Sequence, residues 1–526
     1  MFLATFEKLL NGPLGLAAIA GLMIVSWPLG CLAVAVWFAR VWQRSGKLSQ
    51  EAQAISEVVW TPAFALFLSA SIPWFAFLRF TQAPPDDLLR NLVGWAYHFD
   101  YARAYWGSPG VTHIDEYFGF DQLASWCYRH LGRQRAYIPF QAVALMGFSI
   151  VLPAAYLREA RRGRWGAWAI PMTLAATAMT WMTLGFSQRI VSSRPEVFFT
   201  IWSLSAVLVE SSWATIAWAA VGLVLSPMYW LGFVYFPMAF LMRRSAKQRW
   251  AVFGVLMAAF FGFWLVHTHG GMVRDIVYLR GQVHNRVFGV GESRSILVMA
   301  TSMPGAGLLL FAALSLQLLI RQATPWKLDG WRAWWSAVFA EQSPWMPGLL
   351  LLWFCLPDMI RYVDVVAPLL ALLAIRWMSL AVFSHEGAGP RWPSWLGMGM
   401  LVSLAIALCA LFGTFHPQKL NRIEIPGYTS HTRVLTYFGS DTYQVLYANP
   451  GIQVAPAMEL GMTTREVQHM STELAKGTLS CQALHRHRVD WVVTEQADWK
   501  LGGAAQRCLS LYQIFPDGTS VWKVSP

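Results

Sequence analysis

Long apolar stretches alternate with short polar breaks over most of the chain. Runs of spanning length lie near 13–38, 58–80, 138–157, 167–185, 250–267, 295–320 and 394–415, each close to the roughly 20 apolar residues that a membrane helix needs. Two further apolar regions, 197–242 and 346–383, are too long for one crossing. The first divides into three short spans at Glu210-Ser211-Ser212 and Ser226-Pro227, the second into two at Asp358-Met359-Ile360-Arg361. The pattern predicts an α-helical polytopic membrane protein of about twelve spans. Beyond residue 415 the period changes. RVDWVVTE at 488–495 and CLSLYQIF at 508–515 read as strands, the second turning at Pro516-Asp517-Gly518 into a third at 520–524. An earlier strand is expected near 443–448, and a helix over 463–476 that opens with Thr463 and Glu466 at capping-box spacing and stops at Gly477. Two domains follow: a transmembrane domain over 1–415, which includes an outer loop at 81–137, and a small extracytoplasmic α/β domain over 416–526.

Composition agrees with this division. The chain is 56% hydrophobic and 13% charged, half the charge of an ordinary soluble domain, and its mean hydropathy is +0.41. Many of its 29 tryptophans, such as Trp27, Trp42, Trp60, Trp74, Trp345 and Trp377, close apolar runs, where an amphipathic indole anchors the membrane–water boundary. The net charge of +12 is spread over the loops between spans, so membrane orientation explains it and a nucleic-acid partner is not expected. Residues 1–12 have no basic n-region and no small-residue cleavage site follows, so no cleavable leader is expected.

Three short basic loops set the orientation: Arg40, Arg44 and Lys47; Arg158, Arg161, Arg162 and Arg164; and Arg243, Arg244, Lys247 and Arg249. Placing all three in the cytoplasm puts the amino terminus, the loop 81–137, the loop 268–294 and the tail 416–526 outside. Of the six cysteines, Cys481 and Cys508 share that tail. A bridge between them would contribute about 3–4 kcal/mol and requires an oxidising compartment.

The polar residues that carry chemistry gather at outer span ends. Pro84-Pro85 closes the second span, and Asp86-Asp87 follows at the bilayer surface, with Asp115-Glu116 and Asp121 further along the same loop. A carboxylate there can act as general base on a hydroxyl; a pair can hold a divalent cation; or Asp86-Asp87 can simply cap a helix. SSRPEV at 192–197 puts Arg194 and Glu196 at membrane depth, where such groups are costly and face a cavity or each other. Arg194 reads either as a phosphate clamp or as a snorkelling arginine. The loop 272–294 carries Arg274, Arg280, His284, Arg286 and Arg294, and the late outer mouth carries Asp358, Arg361, Tyr362 and Asp364. Arginines outside run against the orientation rule, and anionic headgroups or a lipid-linked phosphate would account for them. No glycine-rich phosphate loop, Cys-x-x-Cys pair or nucleophile elbow is present.

In order, Asp86-Asp87, Asp115-Glu116, Arg194-Pro195-Glu196 and the IRYVDVVAPLLALLA run from Ile360 resemble the GT-C class of integral-membrane glycosyltransferases. The last segment looks like one in the lipid-linked mannosyl- and aminoarabinosyltransferases. The resemblance implies an inverting glycosyltransferase of a bacterial inner membrane, acting at the periplasmic face. It would move a sugar from a polyprenyl-phosphate carrier, held among membrane lipids, to a glycan, lipid or protein acceptor. It implies Asp86 or Asp87 as the catalytic base and Arg194 and Arg361 on the leaving phosphate. Asp115 and Glu116 would position the acceptor or sugar, or ligate a divalent metal if one is used; Glu196, Arg280, Arg286 and Tyr362 complete the expected substrate-binding set. The acidic pair here follows the second apolar span rather than the first, which implies an extra amino-terminal span. A lipid-linked glycan ligase or polymerase, or a non-enzymatic transporter, are the alternatives. The former usually carries its large outer loop late in the chain, and the latter calls for polar span centres and repeated halves, which are not visible.

Overall fold

Residues widely separated in the chain build one mixed sheet and its supports. The structure, a computed structural model, describes residues 87–108, 117–146, 151–162, 169–183, 193–206, 422–437, 440–456, 463–494 and 507–525, with isolated helical positions between 258 and 375. Most of the expected spans therefore lie outside the described residues. Among the described residues no helix is both long and apolar enough to cross a membrane.

The expected outer loop contains helices. α1 (Asp87–Leu92) leads through two 3-10 turns, Gly94–Tyr97 and Tyr101–Arg103, and α2 (Phe118–Leu131) follows. Asp121, Ala124 and Ser125 line the inner side of α2, and its chain leaves at Gly132. In the neighbouring apolar segments lie α3 (Ile138–Met146), α4 (Leu152–Arg162), α5 (Ala169–Met182) and α6 (Pro195–Ala206). Phe120, Phe140 and Phe198 lock α2, α3 and α6 together, with ring centroids 5.1–5.7 Å apart. Along α5 and just past its end, Thr173, Thr177, Thr180 and Thr183 each donate to the carbonyl four residues back, which satisfies their hydroxyl protons locally. The Tyr156 and Thr180 hydroxyls meet at 2.8 Å and tie α4 to α5.

The tail is an α/β unit of β1 (Arg433–Thr436), α7 (Ser440–Ala448), β2 (Gln453–Ala455), α8 (Arg465–Lys476), α9 (Cys481–Arg486), β3 (Trp491–Thr494), β4 (Leu509–Ile514) and β5 (Ser520–Val524). The strand order is β2-β1-β3-β5-β4. β1 pairs in parallel with β2 and β3, and β5 runs antiparallel to β3 and β4. Helical crossovers thus join the parallel strands, and a hairpin finishes the sheet.

Two sequence expectations are corrected. The strand expected near 443–448 is the helix α7. Its apolar run is buried on several sides, so Tyr443, Val445, Leu446 and Tyr447 satisfy either period. Asn449 decides the matter: its side-chain amide donates to the carbonyls of Val445 (2.8 Å) and Ile423 (2.7 Å), and its Oδ1 accepts from the Ile425 amide. The expected capping box does not form either. Thr464 is the residue before α8 and makes no side-chain cap. The Thr463 hydroxyl instead meets that of Ser108 at 3.1 Å, and Glu466 pairs with Arg486 and His487. Gly477 ends α8 with φ +68°, a left-handed step that glycine takes without strain.

The early loop is built into this tail. Tyr105 forms a parallel bridge with Val454; Val454 donates its amide to Ala104 (2.8 Å) and accepts from the Trp106 amide (3.2 Å). Residues 104–106 thereby cover the β2 edge, which would otherwise present open backbone groups. Trp106 packs among Leu435, Ala455, Val467, Met470 and Leu474, and its indole N–H donates to the Val434 carbonyl at 3.1 Å. Gly107 (φ +65°) passes so close to α8 that a Cβ would meet Val467 Cγ2 at 2.6 Å. A second zone joins the same parts: the Tyr97 hydroxyl donates to the Ile452 carbonyl (2.7 Å), Tyr128 to Tyr447 (3.3 Å) and Arg133 to Ala448 (3.2 Å).

Cys481 and Cys508 are bonded, with Cα atoms 5.9 Å apart, and tie the start of α9 to the start of β4. Closing this 27-residue separation is worth about 3.5 kcal/mol by loop entropy. Thiol labelling before and after reduction should reveal both cysteines only in reduced protein; equal labelling in both states would remove the bridge. Trp106→Ala should destabilise the joined unit by about 3–5 kcal/mol. Hydrogen exchange should then quicken in 101–108 and in 433–455 together; acceleration in the first segment alone would mean the tail does not depend on the loop.

Candidate functional site

The junction between the early loop and the tail encloses a cluster of charged and phenolic groups. Asp87 opens α1, and its carboxylate is turned inward instead of to solvent. Tyr443 on α7 donates its hydroxyl to Asp87 Oδ1 at 2.6 Å, the short geometry of a hydroxyl bonded to an ionised oxygen. The Arg194 Nε lies 3.9 Å from Asp87 Oδ2. Both side chains of that pair are only 10% exposed, so water screens their attraction little.

Arg90 lies one turn after Asp87, on the same side of α1. Its guanidinium sits over the Tyr101 ring at 4.8 Å and near the Tyr443 ring at 5.8 Å, where the ring faces stabilise a half-buried cation. The Tyr101 hydroxyl in turn donates to Asp121 on α2. Burial by itself would pull the Arg90 pKa down; the surrounding Tyr443, Asp87, Tyr105 and Tyr101 outweigh it, and the group stays protonated. Burial, reinforced by the adjacent Asp87, pushes the Tyr443 hydroxyl well above its ordinary value. At neutral pH Tyr443 is therefore a fixed proton donor and Arg90 a fixed cation.

Local folding positions each group. Thr442 holds the start of α7 to β1 through the Thr436 hydroxyl at 2.7 Å, and Asn449 holds its end, so Tyr443 is fixed at both sides. Ser193 adopts a left-handed φ of +51°, uncommon for a residue with a Cβ, directly before Arg194. Pro195 then opens α6, a position suited to proline because its missing N–H is not needed there. Ser125 on α2 accepts from the Trp95 amide at 3.2 Å and sets α2 under α1.

Of the residues singled out in the sequence, the structure brings Asp87 and Arg194 together. Glu196 is the second residue of α6, with its side chain outside the described ones. Asp86, Asp115, Glu116, Arg280, Arg286, Arg361 and Tyr362 lie outside the described residues. Among the described residues, no three His, Cys, Asp or Glu side chains gather as a metal site. Arg90, Tyr101 and Tyr443 join the cluster without having been singled out. Arg90 had a readable signal, a cation three positions after a carboxylate on a short helix. Tyr443 had none, because 356 positions separate it from Asp87.

Compared with known proteins, the chain matches no family model and none of the curated proteins.

The junction yields a measurable expectation. Removing a hydroxyl bonded to a buried carboxylate costs about 1.5–3 kcal/mol, against about 1 for a neutral pair. Tyr443→Phe should therefore lower the thermal midpoint more than Tyr128→Phe, which loses a 3.3 Å bond to a carbonyl. Equal shifts would show that Asp87 is not charged in the folded protein.

Proposed function

We propose that the protein is an inverting glycosyltransferase that moves a sugar from a polyprenyl-phosphate carrier to a cell-envelope acceptor at the outer face of a bacterial inner membrane. The acceptor hydroxyl belongs to a glycan, a lipid or a protein. The observation that carries this reading is the Asp87 carboxylate, in contact with a hydroxyl at 2.6 Å and with Arg194 at 3.9 Å. A base for glycosyl transfer needs the first arrangement, and a departing phosphate needs a cation like the second.

In the proposed reaction, the acceptor hydroxyl reaches the Asp87 carboxylate beside the Tyr443 hydroxyl and passes its proton to it. The acceptor oxygen bonds to the anomeric carbon from the face opposite the phosphate. The bond from that carbon to the phosphate oxygen breaks, and its electron pair stays with the polyprenyl phosphate. Arg194 and the outer arginines Arg280, Arg286 and Arg361 neutralise the charge that develops there. Asp115 and Glu116 position the acceptor or sugar, or ligate a divalent metal if one is used; Glu196 orients Arg194, and Tyr362 contacts the substrate. Arg90 adds a second cation near the Asp87 carboxylate. The tail supplies Tyr443, which gives it a place at the reacting groups. Asp86 is the alternative base.

Purified protein should bind a polyprenyl-phosphate sugar in detergent with saturation, and Arg194→Ala should weaken that binding. Absence of binding to every carrier tried by the wild type would refute the donor class. Changing Asp86 and Asp87 together to Asn should lower transfer by about 10²–10⁴-fold while donor binding persists; full activity in that variant would remove both residues from catalysis. The single changes identify the base.

A further inference from the structure

A surface beside the proposed site has no role in the reaction just described. The inner side of α2 (Phe120, Asp121, Ala124, Ser125, Cys127) is buried, while on its outer side Leu123 and Trp126 are 49% and 48% exposed. Leu131 at the end of the helix is 42% exposed. Exposed basic groups border these side chains: Arg129 and His130 on the helix and Arg135 just after it. His130 stacks on the Trp126 ring at 4.6 Å.

We infer that α2 lies in the plane of the outer membrane–water boundary, with Leu123 and Trp126 inserted among phospholipid headgroups and Arg129 and Arg135 paired with their phosphates. Three observations commit this face to lipid. First, only residues 132–137 separate α2 from α3, a reach of at most about 20 Å. Second, α3 begins the apolar run at 138–157, and its Val143 is 50% exposed, so lipid contact on α3 continues onto α2. Third, Phe120 packs on Phe140 and Phe198 at 5.1 Å, which fixes how α2 is turned relative to α3 and α6. A leucine and a tryptophan beside arginines suit this boundary: the apolar groups reach the acyl region while the cations stay at phosphate depth.

The placement also sets the height of the cluster above the bilayer. Asp121 and Ser125 on the inner side of α2 hold Tyr101 and the Trp95 amide, and Tyr101 carries Arg90. A helix resting on headgroups thus ties the position of the cluster, held from its inner side, to the bilayer surface under its outer side. The inference rests on the membrane reading of 138–157 and not on glycosyl transfer.

The test places the photoreactive residue p-benzoylphenylalanine at 123, 126, 143 or 512 of the full chain in phosphatidylethanolamine–phosphatidylglycerol nanodiscs with labelled lipid. Position 512 is an exposed site on β4 of the tail and serves as the reference. The expected result is lipid adducts at 123 and 126, as at 143, and several-fold above 512. Adducts at 143 without adducts at 123 and 126 overturn the surface and leave the span intact. Protein adducts in place of lipid at 126 overturn it in favour of a polypeptide partner. No lipid adduct at 143 or 126 rejects the span and the inference together.

Discussion

The rest of the described structure depends on the insertion of Trp106 into the tail. One side chain from the early loop supplies core volume to the α/β unit, a hydrogen bond to the β1 carbonyl of Val434, and, through its own amide, a rung on β2. Arg433 lies over the same ring at 5.9 Å. The β2 edge and the α8 packing both meet at this residue. The tail is therefore a fold in two pieces rather than an appendage.

The tail's elements and the candidate site were legible in the sequence to different degrees. Strands with a clean period and a turn at Pro516-Asp517-Gly518, and a helix ending at Gly477, carry local signals, and β4, β5 and α8 stand where those signals put them. β1 and β2, with four and three residues, are too short to show a period. α7 was misread because its buried positions fall on more than one face. The pairing of residues 104–106 with Val454 has no local trace, since edge pairing uses backbone groups that every residue possesses. Asp87 and Arg194 stood out because a charge beside an apolar run is costly. Tyr443 did not, because a tyrosine there is unremarkable until its partner is known.

Energetically the cluster is a balance between desolvation and pairing. Two guanidiniums and two carboxylates share a small, nearly dry volume, with tyrosine rings and hydroxyls filling the space between them. Removing one member leaves its partner buried and uncompensated. Such an arrangement holds each group in one orientation, at the cost of a stability that two apolar neighbours would have given more cheaply. That cost is reasonable where a fixed carboxylate matters more than a strong core.

The rung between Val454 and residues 104–106 also constrains how the chain is threaded. Hydrogen-bonded partners must lie in the same aqueous compartment, so any path through a bilayer between residues 108 and 422 must cross it an even number of times. A chain that missed one crossing would leave its two halves on opposite sides, with an open sheet edge and an unfilled core on each. In a membrane-inserted chain the joined unit would therefore act as a parity check: a polypeptide with an odd number of crossings between these segments could not complete it, and synthesis must pass residue 454 before the check can be made.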